Sequence, residues 1–194
     1  IGKLKNPRFF AENQRPRLGD PFAEHSPVMV EDEAAIRAHV AEGLELGAQH
    51  RLGAPVLDIL VQHHGTSEVR TLGRVSMRPG DVPARYAGPR PQTREAAMVM
   101  LADRVEAAAE ALLAAPPIEE GMLEATVARV FHDAIADDQL AECPLTLSDL
   151  SAVEREMVKV LRDILTRRGA PAGVLLADPT SPVYVVPPSA GRPN

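Results

Sequence analysis

His39, the adjacent pair His63-His64, and Asp103 have the residue types and spacing to hold a metal ion. Histidine is scarce here, six in 194 residues, so this group stands out from the background. Neutral imidazole is a common ligand for first-row transition metals. In Val61-Gln62-His63-His64-Gly65-Thr66 the pair falls at a predicted helix end. Adjacent helical residues project roughly 100° apart, so both rings reach one ion only where the helix is finishing. Two readings of the pair stand: ligands, or surface histidines capping a helix C-terminus, where positive charge is favourable.

His39 falls on the apolar face of its helix between Ile36 and Val40, with Gly43 one turn later permitting close approach. A histidine there is either a ligand or a hydrogen-bonded core residue. In the run from Ala96 to Val105, Asp103 shares a face with Ala96, Met100 and Ala107. An ionised carboxylate on an apolar face is costly unless paired or metal-bound. Arg104 or a buried hydrogen bond would also satisfy it. One acid and three histidines, all on predicted inward faces, together favour the metal reading.

The elements that must position these residues are helical. Apolar residues recur at three- and four-residue steps over 31–51 (Ala35, Ile36, His39, Val40, Leu44, Leu46), with Gly53 as the expected stop. A shorter helix is expected over 55–63, where Val56, Ile59, Leu60 and His63 share a face and Gly65 ends the run. A weak helix over 67–77 precedes a Pro- and Gly-rich loop, 78–92. Thr93 is a good N-cap for a helix to about 114, stopped by Pro116-Pro117. Further helices are expected over 118–137 and 148–167. The first 32 residues carry loop chemistry, and 168–194 read as a Pro-rich tail that is extended or disordered. The fold class is therefore all-α, with one domain over 1–167 and a tail over 168–194.

Bulk properties narrow the function. Four Phe, two Tyr and no Trp leave Ala, Leu and Val to fill the core, which suits helices better than sheets. A net charge of −6 argues against a general binder of nucleic-acid polymers. The single cysteine, Cys143, excludes an internal disulfide framework and reads as a buried small hydrophobe. No stretch has the roughly 18 apolar residues that span a bilayer. His132-Asp133 is a decoy for an HD doublet: Ala134-Ile135-Ala136 follow, with no x-x-Lys continuation. His25 and His50 read as exposed.

Five separated segments together carry a closer resemblance. They are Ile-Gly-Lys-Leu-Lys-Asn-Pro-Arg-Phe-Phe-Ala-Glu-Asn-Gln (1–14), Gln-His-His-Gly-Thr-Ser (62–67), Tyr-Ala-Gly-Pro-Arg-Pro-Gln (86–92), Met-Leu-Ala-Asp-Arg-Val-Glu-Ala (100–107) and Glu-Cys-Pro-Leu-Thr-Leu (142–147). In this order the chain resembles the PgpH-type family from residue 1 to about 167. These are bacterial membrane proteins with a seven-transmembrane receptor region and a cytosolic HD domain. Two segments depart from the family pattern: Asp20-Pro21-Phe22, where relatives often have Asn-Pro-His, and Thr71-Leu72-Gly73-Arg74, where relatives carry an aromatic, His-containing stretch.

The resemblance implies an HD-domain helical bundle that hydrolyses cyclic di-AMP to pApA through hydroxide activated at two divalent transition metals, iron or manganese. It implies His39, His63 and His64 on one metal and Asp103 on the other, with Lys3 near the scissile phosphate. Ile1-Gly2-Lys3 then reads as the end of a His-Asp-x-x-Lys motif, with the doublet and an earlier His expected upstream. On that reading the parent protein is membrane-anchored with this domain in the cytoplasm, and residues 1–194 alone are an inactive fragment. The alternatives are an HD hydrolase for another nucleotide and a non-catalytic, nucleotide-binding regulatory HD domain.

Overall fold

Helix periodicity over the described residues resolves into five α-helices: α1 (Glu33–Gln49), α2 (Ala54–Gln62), α3 (Arg94–Leu113), α4 (Met122–Ala136) and α5 (Leu147–Arg167), preceded by a single 3-10 turn, Gly2–Leu4. The computed structural model describes residues 1–5, 33–69, 83–113, 119 and 121–167. The departures at Phe22 and Gly73, the Pro116-Pro117 stop, His25 and the 168–194 tail lie outside these residues. The chain divides into two compact units, Ile1–Met100 with Gln139–Pro144, and Leu101–Asp138 with Leu145–Asn194, the division falling inside α3.

In the first unit, the buried stripe of α1 is Ile36, His39, Gly43 and Gly47, one face of a helix. The expected leucines are not in it: Leu44 is 37% exposed. Glycine serves here because neighbours come too close for a side chain. A Cβ on Gly47 would meet Leu57 Cδ2 at 2.7 Å and Leu60 Cδ1 at 3.1 Å, so α2 packs directly on the α1 backbone. Nor does Gly53 end α1. Arg51 takes the left-handed conformation (φ 55°), Leu52 N–H donates to Gly47 O (2.9 Å) and Arg51 N–H to Ala48 O (3.0 Å). These are the two bonds of a Schellman cap. Gly53 instead precedes α2 in extended conformation, with Pro55 in the first turn of that helix. On α2 the buried residue is Gln62, whereas Val56 is 44% exposed.

The weak helix expected from Ser67 is absent over 67–69. Glu68 bridges Arg85 in antiparallel fashion, Val69 N–H donates to Ala84 O (2.8 Å) and Tyr86 N–H to Ser67 O (2.9 Å). Thr93 caps α3 as expected, its Oγ1 accepting from Ala96 N–H (3.2 Å).

In the second unit, α4 buries Leu123, Val127, Phe131 and Ala134 along one stripe. Ala109 of α3 and Leu123 form a core to which Leu112, Leu113 and Leu161 add. Thr146 and Asp149 form a reciprocal capping box at the start of α5: Asp149 N–H donates to Thr146 Oγ1 (3.1 Å) and Thr146 N–H to Asp149 Oδ2 (2.9 Å). Glu124 and Arg162 pair between α4 and α5, both side chains only 12% exposed.

Candidate metal centre

α1 delivers His39 and the end of α2 delivers the pair. His39 is 4% exposed, and its Nδ1 is hydrogen-bonded to Ile36 O. His63 is the C-cap of α2, and its Nδ1 donates to Leu60 O (2.9 Å). The helix is already unwinding there, and Gly65 turns the chain with φ 55°, so His64 swings to the same side. His39 Nε2 lies 3.4 Å from His63 Nε2 and 3.1 Å from His64 Nε2.

The donor chemistry of this trio fits a cation. With Nδ1–H committed to carbonyls, the Nε2 atoms of His39 and His63 are both acceptors, and neither can donate to the other. Imidazoles that bind metals are oriented in this way, with the second nitrogen donating to a carbonyl or carboxylate. Two nitrogens each about 2.0–2.1 Å from one ion sit roughly 3–3.4 Å apart in tetrahedral or octahedral geometry, the spacing observed. Ligand atoms of His39, His63 and His64 all lie within 4.8 Å of one another.

Electrostatics keep the site ready to bind. The His39 pKa is held down to about 4, chiefly by burial, with the ring of His63 and then the charge of Lys3 adding to it against the favourable Ile36 bond. Its ring therefore offers a lone pair at neutral pH. Lys3 reaches this neighbourhood because Gly2 is pressed onto α1. A Cβ on Gly2 would overlap the His39 carbonyl and lie 2.8 Å from Gly43 N.

Around the trio, Tyr86 stacks on His64 with ring centres 4.3 Å apart and planes inclined by 14°. The antiparallel pairing of 67–69 with 84–86 puts it there. Beside these rings opens a cleft of about 460 Å³ whose walls include Arg37, Ala41, Val61, His64 and Tyr86. That volume lies within the range of small-molecule sites.

The structure thus brings together His39, His63 and His64, with Lys3 near enough to act on His39. Asp103 lies on α3 in the second unit and is outside the three-histidine group. It is half-buried rather than enclosed, because its helix face is less apolar than expected: Ala96 and Met100 are buried but Ala107 is exposed. His132 is 78% exposed, as suits a decoy, and His50 is exposed. Cys143 is half-buried rather than fully enclosed, its Sγ facing Leu140 O at 3.2 Å. Sequence reading missed Arg37, Thr66, Tyr86 and Gln139. Tyr86 lies in a recognisable segment, but nothing local in the sequence says that it faces an imidazole.

No protein-family profile matches the chain. It is 31% identical over 172 residues to the cyclic-di-AMP phosphodiesterase PgpH of Bacillus subtilis (strain 168), covering 87% of the chain and 23% of that protein. Identity to the PgpH of Listeria monocytogenes serotype 1/2a is 28% over 174 residues, with the same coverage. The chain therefore spans about a quarter of the length of these curated relatives. The crystal structure of the L. monocytogenes PgpH HD domain in complex with cyclic-di-AMP superposes with a TM-score of 0.68 at 26% identity, over 84% of this chain and 75% of that one. A second crystal structure of the L. monocytogenes PgpH HD domain superposes with a TM-score of 0.66 at 27% identity. The fold is that of the PgpH HD domain.

Proposed function

We propose that this chain is the catalytic HD domain of a metal-dependent phosphodiesterase that opens cyclic di-AMP to pApA, within a longer, membrane-anchored bacterial protein whose HD domain faces the cytoplasm. One observation carries the metal reading: three imidazole Nε2 atoms converge while two of the rings have their other nitrogen tied to a carbonyl. Similarity to the PgpH phosphodiesterases, one of them solved with cyclic-di-AMP, carries the choice of substrate. No helix among the described residues is long and apolar enough to cross a membrane. The domain runs over 1–167 and the tail over 168–194.

The cofactor is two divalent transition metals, iron or manganese, which suit a mixed set of imidazole and carboxylate donors. When bound they supply Lewis acidity at the phosphate and an activated water for in-line attack on phosphorus. His39, His63 and His64 would hold one ion, the rings of His39 and His63 being oriented by their Nδ1 bonds. By the resemblance to the PgpH-type family, Asp103 would give its carboxylate to the other. Lys3 contributes a compact positive charge where negative charge builds on the phosphate oxygens. Arg37, on the wall of the cleft, would face the anionic substrate. Tyr86 lies flat against His64 and limits the tilt of that ring.

The test is His63→Ala and His64→Ala in the intact protein, with metal content read by plasma mass spectrometry and conversion of cyclic di-AMP to pApA by chromatography. Both readouts should collapse together, because the same ligands hold the ion and the chemistry depends on it. Normal metal occupancy with full turnover in either variant removes these residues from the site.

A further inference from the structure

The three histidines explain where an ion would sit, but not what keeps His64 in place. Adjacent helical residues diverge by roughly 100°, so His64 joins the trio only through the turn that follows α2. That turn has no helical ladder to hold it. Its own bonds are short-range: Gly65 N–H to Gln62 O (2.9 Å) and Ser67 N–H to His64 O (3.1 Å), with Ser67 Oγ also donating to His64 O (2.7 Å). These shape the turn, and Tyr86 N–H, donating to Ser67 O (2.9 Å), ties its end to 84–86.

Two glutamines add to that anchorage. Gln62, 6% exposed, lies just before the pair, and its Oε1 accepts from Gln92 N–H (2.8 Å). Gln139 is wholly buried and lies 73 positions after Thr66. Its Oε1 accepts from Thr66 N–H (2.9 Å), and its Nε2 donates to Thr66 Oγ1 (3.0 Å). A backbone N–H can only donate, so the amide must present its oxygen there and its nitrogen to the hydroxyl. Both ends of one planar amide therefore grip one residue, which fixes the orientation of Thr66 as well as its position. The adjoining Gly65 makes room for this grip, since a Cβ there would overlap Gln139 Oε1 and lie 2.8 Å from Met100 Cε. Arg85 adds a bond from Nε to Thr66 O (2.6 Å).

We propose that Gln139 is a positioning residue for the metal centre: its two hydrogen bonds to Thr66 hold the His63-His64 turn so that His64 Nε2 stays within ligand distance of the other imidazoles. Thr66 is two residues from His64, with Gly65 between them as the pivot. Releasing it lets the turn that carries His64 relax, whereas His39 lies within α1 and His63 caps α2. The ion then loses one of its three nitrogen donors for part of the time, and affinity falls. Substrate specificity is not touched, since Gln139 does not line the cleft.

The inference rests on the three-histidine metal site, and the experiment separates the two. Intact protein stripped with a chelator is titrated calorimetrically with Mn²⁺, and Co²⁺-loaded protein is examined by visible absorption, which reports ligand number. Gln139→Leu removes both bonds at similar volume, Thr66→Val removes only the hydroxyl, and Thr66→Ser keeps every bonding atom. Gln139→Leu should weaken Mn²⁺ binding by about 10- to 100-fold, the usual range for loss of an outer-shell partner, and alter the Co²⁺ spectrum. Thr66→Val should move both readouts in the same direction by less, Thr66→Ser should restore them, and the double variant should be no worse than Gln139→Leu because both act on one contact. Thr66→Val keeps the test open if Gln139→Leu does not fold. Unchanged affinity and spectrum in Gln139→Leu, with His63→Ala abolishing binding, overturn the positioning role alone. Unimpaired Mn²⁺ binding in His63→Ala overturns the metal site and this inference with it.

Discussion

Substituting Gly2 by alanine should disable the site without altering any candidate ligand. Gly2 is buried in a 3-10 turn, and a Cβ built there would overlap the His39 carbonyl oxygen, lie 2.6 Å from its carbon and 2.8 Å from Gly43 N. All three atoms are helix backbone, which cannot rotate aside as a side chain would. Ordinary contact between heavy atoms is about 3.5 Å or more, so the turn must retreat from α1 by more than about 1 Å. Lys3, the next residue, retreats with it. Displacement of a catalytic group by about 1 Å can cost on the order of 100-fold in rate, and overpacking of this kind costs about 1–3 kcal/mol in stability. The assay is kcat/KM for cyclic di-AMP in the intact protein, with circular dichroism and thermal melting to confirm folding. Leu4→Ala serves as the control, because Leu4 is 75% exposed. Gly2→Ala should lose about 100-fold in kcat/KM, mostly in kcat, with Leu4→Ala unaffected. Wild-type kinetics and melting temperature in Gly2→Ala would refute the claim that this close approach positions Lys3.

Two further outcomes follow from the burial of the histidines. With the His39 pKa at about 4 in the fold against 6.5 in the unfolded chain, the unfolded state binds the extra proton first as pH falls. The stability of the metal-free protein should thus be full above pH 6.5 and decline toward pH 4, by up to about 3 kcal/mol. Urea denaturation across that range checks it, and a His39→Gln variant that keeps the same pH slope would assign the effect elsewhere. His132→Ala should leave cyclic di-AMP hydrolysis unchanged and shift stability by no more than about 0.5 kcal/mol, since the ring is 78% exposed. A large loss of turnover in that variant would bring the second HD dipeptide back into consideration.

What the sequence disclosed and what it hid divide along the range of the interactions involved. Thr93 could be assigned as a cap because its partner, Ala96, is three residues away, and the helix it opens carries its own periodicity. The His63-His64 pair was conspicuous because a helix end and a following glycine are local features. The α1 face was misread for a physical reason. Periodicity gives a core position to leucine, whereas the approach of Leu57 and Leu60 to the α1 backbone selects glycine at position 47, and that demand originates on another helix. The end of α1 was misplaced because Arg51 takes a left-handed conformation that usually marks a glycine, so Gly53 drew the assignment. Ser67–Val69 read as weak helix because its true partner, 84–86, lies across a long connection. Gln139 is the extreme case: a glutamine in a turn has no pattern to distinguish it from a solvated one, and its meaning depends wholly on a threonine 73 residues earlier. Ligands can thus be legible by type, since few side chains bind transition metals. The residues that aim them are legible only by contact, because almost any hydrogen-bonding side chain can do that work if the fold brings it there.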